Sequence, residues 1–189
     1  MESTELAALL ERTPVIAAVK NDDQLQRCLA CESGIVFILY GSVTTIPRIA
    51  KTAREAGKTV FVHVDLLDGL AAREAAVDYI AQSTCAHGVI STRPGLIRHA
   101  HAVGLSTVQR YFVLDSMALE NVLRPDAHPG ADLIEILPGL MPKIIRRLCA
   151  QLDRPLIAGG LISDKDDVMA ALAAGAVAVS STNEDVWFL

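Results

Sequence analysis

Along the 189-residue chain, short apolar runs rich in β-branched residues alternate with longer stretches whose apolar positions recur at helical spacing. Strands are predicted at 14–19 (PVIAAV), 34–40 (GIVFILY), 59–65 (TVFVHVD), 88–92 (GVIST), 106–113 (STVQRYFV), 132–137 (DLIEIL), 155–160 (PLIAGG) and 176–181 (AVAVSS). Each run is nearly continuous rather than alternating in apolar character, as strands buried on both faces of a parallel sheet require. Between the runs stand helix starts: Asn21 and Asp22 before LQRCLA, Thr44, Thr45 and Pro47 before IAKTAREAG, Pro94 before LIRHAHAVG, Asp115 before SMALENVL, and Ser163 with Asp166 before VMAALAAG. Gly57, Gly104 and Gly175 sit where three of these helices should stop. Eight strand-helix units leave about 24 residues each, near the minimum for a parallel crossover. The pattern predicts an α/β fold, a small single-domain (β/α)8 TIM-like barrel with parallel strands and short loops, its core spanning about 14–187 of residues 1–189. An open doubly wound sheet is the alternative, but its glycine-rich turn after the first strand is replaced here by VKNDD.

A hydrophobic content of 51% is enough for one packed core. No run of about eighteen apolar residues is present, and the N-terminal MESTELAALLERT is acidic and helix-like, so a soluble, cytoplasmic protein without a membrane partner is expected. The formal net charge of -5 argues against a general polyanion binder, because such affinity comes from Lys and Arg neutralising phosphates. Cys28 and Cys31 are close in sequence, but no second pair completes a zinc site; Cys28, Cys31, Cys85 and Cys149 read as packing residues, and no metal is expected.

In a barrel of this kind, the C-terminal strand ends and the loops after them build the site. The strands deliver there Lys20, Ser42, His63 with Asp65, Ser91 with Thr92, Arg110, Glu135, Gly159 with Gly160, and Ser180 with Ser181. Ionisable groups in apolar strands are expensive unless paired or hydrated, so Lys20, Asp65, Arg110 and Glu135 are expected to converge on one wet pocket or, alternatively, to form a structural ion-pair plug. His63, two residues before Asp65, is predicted on the same strand face one layer deeper, as a ligand contact or a satisfied core histidine.

The segment LIAGGLIS removes two side chains at the end of the seventh predicted strand. Glycine lets a backbone approach an anion closely, and AVSSTNED follows with hydroxyls and a helix start. Gly159, Gly160, Ser180, Ser181 and Thr182 are therefore read as a phosphate cradle; the plainer reading is a tight strand exit and a helix cap. Glu184 and Asp185 in the next turn compete with a bound anion. The chain contains no G-x-S-x-G, H-E-x-x-H or P-loop lysine motif. Lys20 as an imine-forming amine and Glu135 as a general base would suit a phosphate-anchored isomerase, aldolase or lyase; the simpler role for Lys20 is anion binding. Lys143, Arg146 and Arg147 share one helix face, either a solvated surface or an RNA contact.

Taken in order, HVDLLDGL, GVISTR, QRYFVLDS, IEILPG, IAGGLI and GAVAVSSTNEDVW resemble the glycerol uptake operon antiterminator regulatory proteins, over about Pro14 to Trp187. The resemblance implies a non-enzymatic regulator: a small TIM-like barrel that senses glycerol 3-phosphate, or a similar phosphoester, and binds the leader mRNA of glycerol-utilisation genes to prevent premature termination. It implies no cofactor beyond that ligand. Residue by residue it assigns ligand contacts to His63, Asp65, Ser91, Thr92, Arg110, Glu135 and Gly139, with Gly159 and Gly160 in the glycine pair. Lys20 stands where relatives are expected to carry arginine, which keeps the charge and loses a bidentate fork. A homo-oligomer is compatible with all of this.

Overall fold

A computed structural model describes residues 3–189. All eight expected strands form: β1 (Val15–Val19), β2 (Ile35–Ile38), β3 (Thr59–His63), β4 (Gly88–Ser91), β5 (Ser106–Phe112), β6 (Leu133–Leu137), β7 (Leu156–Gly159) and β8 (Ala178–Ser181). They close into one parallel barrel in sequence order, β8 pairing back onto β1. Among the described residues, eight α-helices accompany them: α1 (Ser3–Arg12) precedes the barrel, and α2 (Asp22–Ala30), α3 (Ile46–Glu55), α4 (Glu74–Ser83), α5 (Pro94–Ala102), α6 (Ser116–Leu123), α7 (Pro142–Cys149) and α8 (Lys165–Ala173) are the crossovers. The protein is thus a single-domain (β/α)8 barrel.

The continuous apolar runs are explained by two cores. Alternate strand residues point into the barrel. There Ile16, Phe37, Phe61, Ile90, Val108, Ile157 and Ala178 pack together, Phe37 and Phe61 edge to face at 5.7 Å. Leu6 and Leu10 of α1 join this cluster, so α1 covers the N-terminal end of the barrel. The intervening strand residues pack outward against the helices in two further clusters, one around β1 to β4 and one around β6 to β8. Burial on both faces is why hydrophobic alternation is missing from the strands.

Local chemistry sets most boundaries. Asn21 and Asp115 accept from the third amide of their helices, Gln24 N at 2.8 Å and Ala118 N at 2.8 Å, as N-caps do. Gly57, Gly104 and Gly175 take positive φ values of 80°, 86° and 106°, the left-handed conformation that ends a helix. Two boundaries differ from expectation. The cap of α8 is Asp164, whose carboxylate accepts from Asp167 N, while Ser163 bonds back to the Asp167 carboxylate. Helix α4 starts after Arg73 with no side-chain cap, so no sequence signal marks it.

Candidate functional site

The inward parity of β5 to β8 brings four polar positions to one level at the C-terminal mouth. Arg110 lies beside Glu135 in the β5–β6 register, and Gly159 beside Ser180 in the β7–β8 register. Glu135 is fully buried; its carboxylate accepts from Arg110 Nε at 2.6 Å and from Ser180 Oγ at 2.5 Å. A buried carboxylate needs such satisfaction on both oxygens, because an unpaired ion in this interior is strongly unfavourable. Gly159 makes the arrangement possible. A Cβ there would lie 2.6 Å from Glu135 Oε1 and 2.6 Å from Ser180 Oγ, so the missing side chain leaves room for the carboxylate and hydroxyl to meet.

Gly160 has a different task. It adopts φ 73°, and Leu161 follows at φ 63°, a left-handed backbone that an L-residue holds only under constraint. The turn is tied down on both sides: Gly139 N donates to Gly160 O at 3.0 Å, and Ser181 Oγ donates to Ile162 O at 2.7 Å. With Arg110, Ser180, Ser181 and Thr182, this turn lines an open cavity of about 370 Å³ at the mouth. Among the described residues, the amides of Gly160, Leu161, Ile162 and Thr182 donate to no other group, and neither do the terminal Nη groups of Arg110. Backbone N–H groups gathered on a concave loop beside a guanidinium are what an anion requires.

The cradle therefore differs in detail from its predicted form. The Ser180 and Ser181 hydroxyls already hold Glu135 and the β7 loop, so backbone amides supply the uncommitted donors. The helix start expected after β8 is a 3₁₀ helix, Glu184–Phe188, whose Asp185 N is taken by the Asn183 side chain. The Glu184 carboxylate is ion-paired with Arg27, which offsets its charge near the cavity. Thr182 O accepts from Gln24 Nε2 at 3.2 Å, fixing the loop to α2.

The expected convergence of four charges resolves into two groups. β3 ends at His63, and Val64–Leu66 form a 3₁₀ turn that breaks strand parity and turns Asp65 toward the end of β4. Its carboxylate accepts from Ser91 Oγ at 2.9 Å, Thr92 N at 2.8 Å and Thr92 Oγ1 at 3.0 Å, pinning the start of the loop into α5. His63 lies between the groups, buried, its Nδ1 4.0 Å from Asp65 and without a hydrogen-bond partner. Burial pushes its imidazole down to about 4, the Arg110 guanidinium adds to that, and Asp65 only partly opposes it, so the ring is neutral near pH 7. Lys20, just beyond β1, is exposed and outside the cavity lining; its backbone N–H donates to Gln24 Oε1. Ser42 is held in a turn with Thr44 and Thr45.

Lys143, Arg146 and Arg147 on α7 are all exposed, and none is in an ion pair among the described residues. They stand on the helical shell, apart from the cavity. Leu161, Ile162 and Asn183 also line the cavity and were not legible from sequence; of the three Leu161 takes the left-handed conformation, which leucine does not signal. Gln109 is a further surprise: it is fully buried on β5, with neither amide atom partnered.

A closed parallel barrel whose charged and glycine-lined cavity opens at the C-terminal strand ends defines a small TIM-barrel protein with its candidate site at the mouth. Residues 15–187 match the family model described as glycerol-3-phosphate responsive antiterminator, and the chain belongs to that family. It is 41% identical over 184 residues to the uncharacterized protein YgcP of Escherichia coli (strain K12), covering 97% of this chain and 96% of that one. The crystal structure of the glycerol uptake operon antiterminator regulatory protein from Listeria monocytogenes is similar, with TM-score 0.87, 32% identity and 92% and 94% of the two chains covered. A glycerol uptake operon antiterminator-related protein from Thermotoga maritima is also similar, with TM-score 0.80 and 29% identity over 93% of this chain and 98% of that one.

Proposed function

We propose that the protein is a regulator of glycerol metabolism that binds glycerol 3-phosphate, or a small phosphoester like it, in the cavity at the barrel mouth. The observation that carries this reading is the set of uncommitted amides at Gly160, Leu161, Ile162 and Thr182 beside the terminal nitrogens of Arg110. In this reading the amides and Arg110 take the phosphate, and Gly160 is required because a side chain there would be strained and would meet Leu137 at 3.1 Å. His63 and Asp65 do not line this cavity, and Ser163 and Asn183 are the further polar residues at its wall for the polyol end. No cofactor takes part.

The family and the antiterminator relatives further support leader mRNA of glycerol-utilisation genes as the partner, in the cytoplasm. The exposed Lys143, Arg146 and Arg147 are the proposed RNA face. A ligand controls RNA binding only if it binds one state of the protein more tightly than the other. Lys20 is exposed and outside the cavity, which favours regulation over imine-based catalysis.

Calorimetric titration with glycerol 3-phosphate, glycerol and inorganic phosphate tests the pocket. Saturable binding of the phosphoester that exceeds both controls and is lost in Gly160→Asp is expected; no binding to the wild type refutes the reading. For the second half, Arg146→Glu with Arg147→Glu should abolish leader-RNA binding in a filter or mobility assay while leaving phosphoester binding intact. Unchanged RNA affinity would rule out α7 as the RNA face.

A further inference from the structure

Away from the mouth, the C-terminal end of α2 places two thiols and a buried ammonium together. Cys28 lies in the last turn of α2 and Cys31 is its C-cap; both are buried, at 0% and 5% exposure. Cys31 N donates to Cys28 O at 3.2 Å, closing a four-residue turn. The ends of such a turn lie within about 7 Å at Cα, and a disulfide spans about 4.4–6.8 Å, so the backbone already brings the two residues to bridging range. The Cys31 thiol donates to Cys28 O at 3.1 Å.

Lys58 supplies the third component. It is 7% exposed, and its ammonium donates to Cys31 O at 2.6 Å and Ser33 O at 2.9 Å. Capping the carbonyls at a helix end explains these two bonds. It does not balance the charge: among the described residues, no carboxylate lies within ion-pair distance of Lys58. A buried cation in that position favours an anion on the adjacent sulfur.

The two thiols are made unequal by this environment. Cys31 keeps 5% exposure against 0% for Cys28, and the Lys58 ammonium, held on the Cys31 carbonyl, favours its thiolate. The complete burial of Cys28 disfavours a thiolate there. Cys31 thus supplies the thiolate and Cys28 the proton.

We propose that Cys28 and Cys31 are a reversible dithiol–disulfide pair oxidised by hydrogen peroxide, with Cys31 the attacking sulfur, Cys28 the resolving sulfur and Lys58 the fixed positive charge beside them. The Cys31 sulfur attacks one peroxide oxygen and the O–O bond breaks. The departing hydroxide takes a proton and leaves as water, and Cys31 becomes a sulfenic acid. The Cys28 sulfur then attacks the Cys31 sulfur. The S–O bond breaks as the S–S bond forms, and the Cys28 proton leaves with the hydroxyl as a second water. Two thiols lose two electrons and peroxide gains them. A molecule as small as peroxide suits a sulfur with so little exposure, whereas bulky disulfides do not.

The test treats the full chain with stoichiometric hydrogen peroxide and follows intact mass and disulfide-mapped peptides. A loss of two hydrogen atoms, located between Cys28 and Cys31 and reversed by dithiothreitol, is expected. Cys28→Ser should leave a dimedone-reactive sulfenic acid at Cys31, and Cys31→Ser should abolish the reaction. Lys58→Met should slow oxidation several-fold at neutral pH, with Lys58→Arg close to the wild-type rate. Oxygen added only at Cys85 or Cys149, or Cys28 and Cys31 remaining as thiols in the wild-type map, overturns the proposal without needing any variant to fold. A Lys58→Met rate equal to wild type overturns the role given to the ammonium.

Discussion

Replacing Gly159 by alanine adds one methyl group at the place where β6, β7 and β8 share a buried carboxylate. Its φ lies outside the left-handed region, so on backbone grounds alone the substitution would stabilise by about 0.4–1 kcal/mol through the unfolded chain. Packing reverses the sign. The new Cβ would stand 2.6 Å from both Glu135 Oε1 and Ser180 Oγ, and neither can retreat without loosening its hydrogen bond. A hydrogen bond to a charged group contributes about 1.5–3 kcal/mol. Overpacking a close-fitted interior costs about 1–3 kcal/mol. A net destabilisation of about 2–4 kcal/mol follows, equivalent to a melting point lower by about 2–4 °C per kcal/mol in a domain of this size. Urea unfolding of Gly159→Ala, Ser180→Ala and the double variant measures it. Removing the hydroxyl relieves one of the two contacts, so the double variant should be more stable than additivity predicts by about 1 kcal/mol or more. If Gly159→Ala is as stable as the wild type, the glycine does not serve the Glu135 network and that reasoning fails.

Further expectations concern the neighbouring groups. Asp65→Ala removes the acceptor of three hydrogen bonds from Ser91 and Thr92 and should lower stability by about 2–3 kcal/mol. Faster amide hydrogen exchange confined to residues 91–94 would identify the loop into α5 as the part released, and unchanged exchange there would contradict the assignment. His63 is held neutral in the folded protein to about 4, below its ordinary value of 6.5. Unfolding therefore takes up a proton between these values: stability is fully present above about pH 6.5 and declines as pH falls toward 4, by up to about 3 kcal/mol. His63→Gln should flatten that segment of a stability–pH profile measured by urea unfolding, and an unchanged slope would show that His63 is not its source. Trp187 donates its indole N–H to Ser181 O at 2.8 Å, so Trp187→Phe should destabilise by about 1 kcal/mol or more, as read by thermal melting; no change would mean that this bond is not holding the chain end to β8.

The barrel was legible because its signal is physical and repetitive. A strand buried on both faces must be apolar at consecutive positions, and eight such runs, several followed by a cap residue, leave few other ways to close a sheet. Where the local signal was weak, the reading thinned: α4 has no side-chain cap, and the predicted strand at 59–65 ran two residues past β3, because Val64 and Asp65 look like strand residues while adopting a 3₁₀ turn.

Which polar residues meet was settled by closure of the barrel. Sequence by itself determined that Arg110, Glu135, Gly159 and Ser180 occupy strand ends, since strand parity and the C-terminal position of the loops follow from local pattern. Tertiary structure alone decided that Arg110 and Ser180 satisfy the two oxygens of Glu135, that Asp65 leaves this group for β4, and that Lys20 stays in solvent. It also decided that Gly159 clears space for a carboxylate while Gly160 and Leu161 bend a loop whose amides remain uncommitted. Such pairings join residues 25 and 45 positions apart, and their geometry is fixed by register and barrel curvature, quantities that no single segment of the chain encodes.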